Sequence, residues 1–225
     1  MRRNLSEHDA RRLLVCGPLV LVTTTWRNTD DVMPAAWSMP LSAEPPFVGV
    51  AVHPSRHTHD MIRFSEEFAL NIPGPRLLNH CQYFGTTSGR DVHKLELSKL
   101  PTFRARKVDT KLLEGCVAYI ECGVEDALRI GDHTLFVGRV VAVSADEEAY
   151  SDMGAPRPSG NSMWTLTEDE EKPLHYLGGD WYATLGRRMQ ARQPQAAGPA
   201  ELSDEELERR ELERERAAEE RERGG

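Results

Sequence analysis

Hydrophobic positions along this chain fall into short runs, continuous or alternating with polar residues, and that spacing belongs to strands. Leu19 to Thr25 is a β-branched run, and the polar turn Arg27 to Asp31 leads from it into a second strand at Met33 to Ser38, as in a hairpin. Phe47 to Val52 is nearly continuous apolar sequence between Pro46 and Pro54, which predicts a buried strand. Glu67 to Ile72 predicts another, stopped by Pro73. Cys116, Ala118, Ile120, Cys122 and Val124 alternate with Val117, Tyr119, Glu121, Gly123 and Glu125, so this strand is half-buried, with Cys116 and Cys122 on its apolar side. His133 to Ser144 is apolar on both sides, as a central strand is.

Helical spacing is rarer. Ser6 to Leu14 predicts a short capped helix, and Pro75 to Phe84 a second, with proline near its start and Gly85 in the C-cap position. Met61, Ile62 and Phe64 share one face of a helix for which Thr58 is the expected N-cap. Many strands with few helices predict a mainly β fold, a closed or partly closed antiparallel barrel that leaves few open edges. Residues 146–173, rich in Asp, Glu, Pro, Ser and Gly, read as a long surface loop of the kind that covers sites. Residues 1–190 are expected to form one domain. Residues 191–225 follow as a linker and a charged helical tail, opened by a capping box at Ser203 to Glu206. Glu205 with Arg209 and Glu206 with Arg210 support that helix by roughly 0.2 to 0.5 kcal/mol each. Leu202, Leu207 and Leu212 recur every five residues and build no coiled-coil seam.

The tail also explains most of the charge. Of the net −8, residues 201–225 hold 11 acidic and 6 basic side chains, leaving the body nearly balanced with 25 acidic and 22 basic. No basic stripe with interleaved aromatics suggests nucleic acid as a partner. No run of 18 apolar residues and no leader-like stretch after Met1 occurs, so membrane attachment is not expected and a reducing cytoplasm is. Cys16, Cys81, Cys116 and Cys122 form no C-x-x-C pair and read as buried thiols.

The candidate chemistry gathers where the Phe47 to Val52 strand ends. Ser55, Arg56, Thr58 and His59 stand at an apparent helix start, where free amides, a hydroxyl and a guanidinium suit a phosphate dianion and equally describe an ordinary capped helix. His53, His57 and His59 lack the carboxylate or cysteine that would complete a metal set, so no metal site is expected. Asn71 at a strand end either bonds a ligand or caps a turn. Ser88, Gly89, Arg90 and Lys94 form a polar loop after a helix, with a solvated turn as the plain alternative. No G-x-G-x-x-G occurs, hence no Rossmann site for a dinucleotide.

Taken with SGRDVHK at 88–94, GDHTLFVGRVVAV at 131–143 and HYLGGDWYATLG at 175–186, the block around Arg56 resembles the flavin reductase-like, flavoredoxin-type family of FMN-binding split barrels over roughly residues 12–186. His93 stands where that family usually has an acidic residue. The resemblance implies an antiparallel split β-barrel and FMN as cofactor, with NADH or NADPH as a donor that docks transiently. Ala36, Trp37, Ser38, Met39 and Ser42 would line the isoalloxazine, although a strand Trp is more often a core residue. Ser55, Arg56, Thr58, His59 and Asn71 would serve the phosphate or ribityl chain, and Ser88, Gly89, Arg90, Lys94, Tyr176 and Gly178 would reach the cofactor from other segments. His133 is the one nominated acid–base residue, because a flavin carries the reaction and needs little machinery from the protein. A homodimer is implied, and the acceptor is left open among free flavin for a partner monooxygenase, ferric chelates and small organic molecules. A flavodoxin-like electron carrier is the alternative, and an interaction module built on the charged tail a third.

Overall fold

A computed structural model describes residues 17–152, 162–164 and 172–186, besides Ala10 and Leu14, both helical. The rest of the helix expected at Ser6 to Leu14 and all of the tail expected at 191–225 lie outside the described residues. The strands of the body are β1 (Val20–Trp26), β2 (Thr29–Ala35), β3 (Ser38–Ser42), β4 (Phe47–Val52), β5 (Glu67–Pro73), β6 (Thr102–Arg104), β7 (Lys111–Leu113), β8 (Cys116–Ile130) and β9 (His133–Ala145). Among the described residues three short α-helices stand between them, α1 (His57–Ser65), α2 (Leu78–Thr86), which a 3-10 turn at Pro75–Leu77 leads into, and α3 (Lys94–Ser98). Seven strands make one antiparallel sheet in the order β2-β1-β5-β8-β9-β4-β3.

The sheet curls because both of its flanks have apolar residues to bury in the same interior. Val20 and Val22 of β1, Ala35 of β2, Val50 and Val52 of β4, Phe68 and Leu70 of β5, Cys122 of β8 and Phe136 of β9 form one cluster, and Ile62 of α1 closes it. Phe68 and Phe136 are fully buried, worth roughly 2 to 3 kcal/mol each. Gly138 lets β9 pass over that core: a β-carbon there would stand 2.5 Å from Phe68 Cζ. This is the antiparallel barrel expected from the strand pattern, in the split form that the family resemblance implies. A second cluster on the other side of β1 and β2 takes Leu19, Leu21 and Val32 with Leu77, Cys81 and Phe84 around α2, and Leu174 at the start of the C-terminal hairpin.

Several local expectations are corrected. The β1–β2 turn is two residues, Arg27 and Asn28, both in the left-handed region (φ 50° and 61°), so Thr29, Asp30 and Asp31 are strand and pair with Trp26, Thr25 and Thr24. The second strand does not run from Met33 to Ser38; it ends at Ala35, and Ala36 and Trp37 form the break before β3. Gly85 lies within α2, whose C-cap is Thr87. Cys116 and Cys122 sit in different clusters. Against β5 the register slips, with Ile72 opposite Ala118 but Pro73 opposite Cys116, and one skipped residue turns Cys116 to the other side. The 146–173 stretch holds two short paired strands, β10 (Tyr150–Asp152) and β11 (Ser162–Trp164). The final hairpin is β12 (Leu174–Gly178) with β13 (Trp181–Thr184). Among the described residues no helix is long and apolar enough to cross a membrane.

Candidate functional site

A cleft of about 440 Å³ opens between the start of α1, the end of α2 and the final hairpin, within the roughly 300 to 1,000 Å³ of small-molecule and cofactor sites. Pro54 ends β4 and the chain turns at once into α1. The N-cap of α1 is Arg56, in extended conformation (φ −77°, ψ 137°), with no side chain capping the helix. Thr58 is therefore not the N-cap, and the first-turn amides of His57 and Thr58 have neither an intrahelical nor a side-chain acceptor. Ser55, Arg56, His57 and Thr58 all line the cleft at this end. An anion-binding corner needs free N–H groups, a guanidinium and the positive end of a helix, and these are present together.

Behind the corner lies Asp31 of β2, 2% exposed. Its Oδ2 accepts from the Thr58 hydroxyl at 2.6 Å, and its Oδ1 is 2.9 Å from Lys94 Nζ. Lys94, 3% exposed, also donates to the Val32 carbonyl. Burial draws the Lys94 pKa below its ordinary value, and the Asp31 carboxylate opposes that pull. The 87–89 loop closes over this pair: a β-carbon on Gly89 would be 2.3 Å from Asp31 Oδ1 and 2.8 Å from His57 Nδ1. Thr87, Ser88, Gly89 and Lys94 are cleft-lining.

Aromatic rings line a further part of the cleft. The Trp37 ring lies 4.6 Å from that of His133, and His53 meets His133 edge-on at 5.2 Å. His133 Nδ1 is 2.6 Å from Asp132 Oδ1, and this hydrogen bond holds the exposed Asp132 carboxyl below the usual range. His53 Nδ1 is tied to Ser55 Oγ at 2.8 Å. Tyr176, Gly179 and Tyr182 of the hairpin form a side wall, and Gln82 of α2 holds it, accepting from Tyr182 Oη at 2.8 Å and donating to Asp180 at 2.7 Å.

Of the residues nominated from sequence, the cleft brings together Ala36, Trp37, Ser55, Arg56, Thr58, Ser88, Gly89, Lys94, His133 and Tyr176. It does not include Ser38, Met39, Ser42, His59, Asn71, Arg90 or Gly178, although Gly179 beside the last does line it. His59 is buried against Phe136, with Nε2 2.9 Å from Thr134 Oγ1. Asn71 is fully buried and donates to Leu21 O and Thr23 Oγ1 while accepting from Leu113 N, which uses it up inside the barrel. Arg90 turns outward to Asp60 at 2.6 Å. Met39 is 52% exposed on β3 beyond the break at Trp37. Among the described residues no three His, Cys, Asp or Glu side chains gather to hold a metal. His57, Gln82, Thr87 and Tyr182 line the cleft without having been nominated as cofactor contacts, and Asp31, also not nominated, lies behind it. Asp31 became legible only with the two-residue turn that puts it opposite Thr24.

The flavin reductase like domain family matches residues 11–180. The chain belongs to that family. The chain is 33% identical to the uncharacterized protein YddH of Escherichia coli K12 over 189 residues, 82% of this chain and 95% of that one. An FMN-binding protein from Thermus thermophilus, solved with bound 1-cyclohex-2-enone, is 27% identical. It superposes with a TM-score of 0.70 over 85% of this chain and 99% of its own. The flavoredoxin of Desulfovibrio vulgaris (Miyazaki F), 24% identical, shares the fold with a TM-score of 0.70 over 88% of this chain and all of its own.

Proposed function

We propose that the chain binds FMN in this cleft and acts as an NAD(P)H-dependent oxidoreductase of the flavin reductase type. The observation that carries the reading is the uncapped start of α1, where free amides, Arg56 and the buried Lys94 converge on one corner. FMN, when bound, supplies a carrier that accepts hydride from NADH or NADPH and passes electrons to an acceptor. The amides of His57 and Thr58 and the Arg56 guanidinium would hold its phosphate. Trp37 and His133, with rings tilted by 35° and 4.6 Å apart, would give a ring system an aromatic wall, with His53 edge-on to His133. With Nδ1 engaged by Asp132, His133 has Nε2 left as the atom to exchange a proton with a substrate at the open face.

The absence of a Rossmann site among the described elements suits a nicotinamide donor that docks transiently. Free flavin for a partner monooxygenase, a ferric chelate or a small organic molecule would follow as acceptor, and the enone in the Thermus relative favours an electron-poor carbonyl compound. A homodimer belongs to the same reading, supported by the exposed Leu41, Val141 and Val143. So does a cytoplasmic site of action, which suits the free thiols. The test is to load the protein with FMN, remove excess, and add NADH or NADPH without oxygen while recording the visible spectrum. Bleaching by either nucleotide is expected. Retained flavin that neither nucleotide bleaches would overturn the reductase reading in favour of an electron carrier.

A further inference from the structure

We propose that Asp31 is the positioning residue of the phosphate corner, a carboxylate that touches no ligand itself but bolts together the three segments that do. The inference rests on the phosphate reading above. Those segments come from separate parts of the chain: the start of α1, the 87–89 loop and the start of α3. Asp31 meets each of them. Its Oδ2 takes the Thr58 hydroxyl proton at 2.6 Å, its Oδ1 takes Lys94 Nζ at 2.9 Å, and Gly89 packs so closely on it that a β-carbon would overlap its carboxylate. His57 Nδ1, with no hydrogen-bond partner, lies 3.6 Å from Oδ2.

Two consequences separate this role from simple electrostatics. Thr58 spends its only O–H on Asp31, so it offers a phosphate its amide and not its hydroxyl, and the hydrogen bond fixes where that amide points. Lys94 commits donors to Asp31 and to Val32 O, which leaves it one N–H for a ligand. By charge alone Asp31 repels a phosphate, and removing its charge would strengthen binding. As a bolt it does the reverse, because a misplaced donor set loses more than a screened negative charge returns.

The test compares FMN with riboflavin, which lacks the phosphate, by flavin fluorescence titration of the apoprotein and of Asp31→Asn. Asp31→Asn removes the charge that pairs with Lys94 and puts an N–H donor where one of the two acceptor oxygens stood. Thr58→Val, which cuts one bond at nearly constant volume, serves where Asp31→Asn does not fold, and Thr58→Ser restores the bond. Expected are a fall of at least tenfold in the preference for FMN over riboflavin in Asp31→Asn, riboflavin affinity within about twofold, a smaller fall in Thr58→Val, and recovery in Thr58→Ser. A preference that is kept or increased in both Asp31→Asn and Thr58→Val, or FMN and riboflavin weakening together, overturns the role. A wild-type protein that binds both flavins equally would overturn the phosphate reading itself, and this inference with it.

Discussion

Replacing Asn71 with alanine separates a core residue from a cofactor contact. In the barrel Asn71 makes three hydrogen bonds, to Leu21 O at 2.9 Å, to Thr23 Oγ1 at 3.0 Å and from Leu113 N at 2.9 Å. Alanine leaves the Leu21 carbonyl and the Leu113 amide without that partner at a buried position, at about 1 to 3 kcal/mol for each group. The expected loss is therefore about 2 to 6 kcal/mol, a large share of the roughly 5 to 15 kcal/mol that holds a domain together. In urea, with m near about 2 kcal/mol/M, the midpoint drops by about 1 to 3 M. The denaturation is run without FMN, so that ligand binding does not enter, and FMN affinity is measured separately under native conditions. That affinity should stay within about twofold, since no Asn71 atom lines the cleft. A midpoint shift under about 0.5 M together with a tenfold weaker FMN complex would refute the reasoning and return Asn71 to the cofactor.

Other substitutions probe the cleft and its surroundings. Gly89→Ala places a β-carbon 2.3 Å from Asp31 Oδ1, so the loop must move off the corner; FMN affinity should fall at least tenfold by fluorescence titration, and affinity within twofold of wild type contradicts the close packing. Asp60 is held below its ordinary 3.8, first by the Arg90 hydrogen bond, so the pair stabilises the fold above that value and its contribution is lost as pH falls through the lowered pKa. Both partners are more than a third exposed, so Arg90→Met should cost less than about 1 kcal/mol at pH 7 and leave FMN affinity unchanged; a cost above about 2 kcal/mol in urea unfolding contradicts this. Burial pushes the Cys81 and Cys122 thiols up to about 12 and Cys116 well above 9.0, so iodoacetamide at pH 8 should spare all three in the native protein, and peptide mass spectra showing their alkylation within minutes contradict it.

The sequence carried the barrel further than the site. Phe47 to Val52, Glu67 to Ile72 and His133 to Ser144 are strands close to their expected bounds, because apolar runs between prolines and turn residues have few other ways to bury themselves. The polar Thr29 to Asp31 segment has the composition of a turn, and only pairing with β1 makes it strand; no local signal separates a strand Asp from a turn Asp. Asn71 misled for the opposite reason: a polar residue beside a strand-ending proline looks functional until its three internal partners are known. Arg56, Ser88, Gly89 and Lys94 were legible as residue types in recognisable order. Their mutual placement was not, because it runs through Asp31, which neither periodicity nor spacing marks.

The most direct test of the account is a crystal structure of the protein with FMN bound. It predicts the phosphate within about 3 Å of the His57 and Thr58 amides and in contact with Arg56, with the ring system against Trp37 and His133. A phosphate seated anywhere else, with the start of α1 facing only solvent, would contradict it.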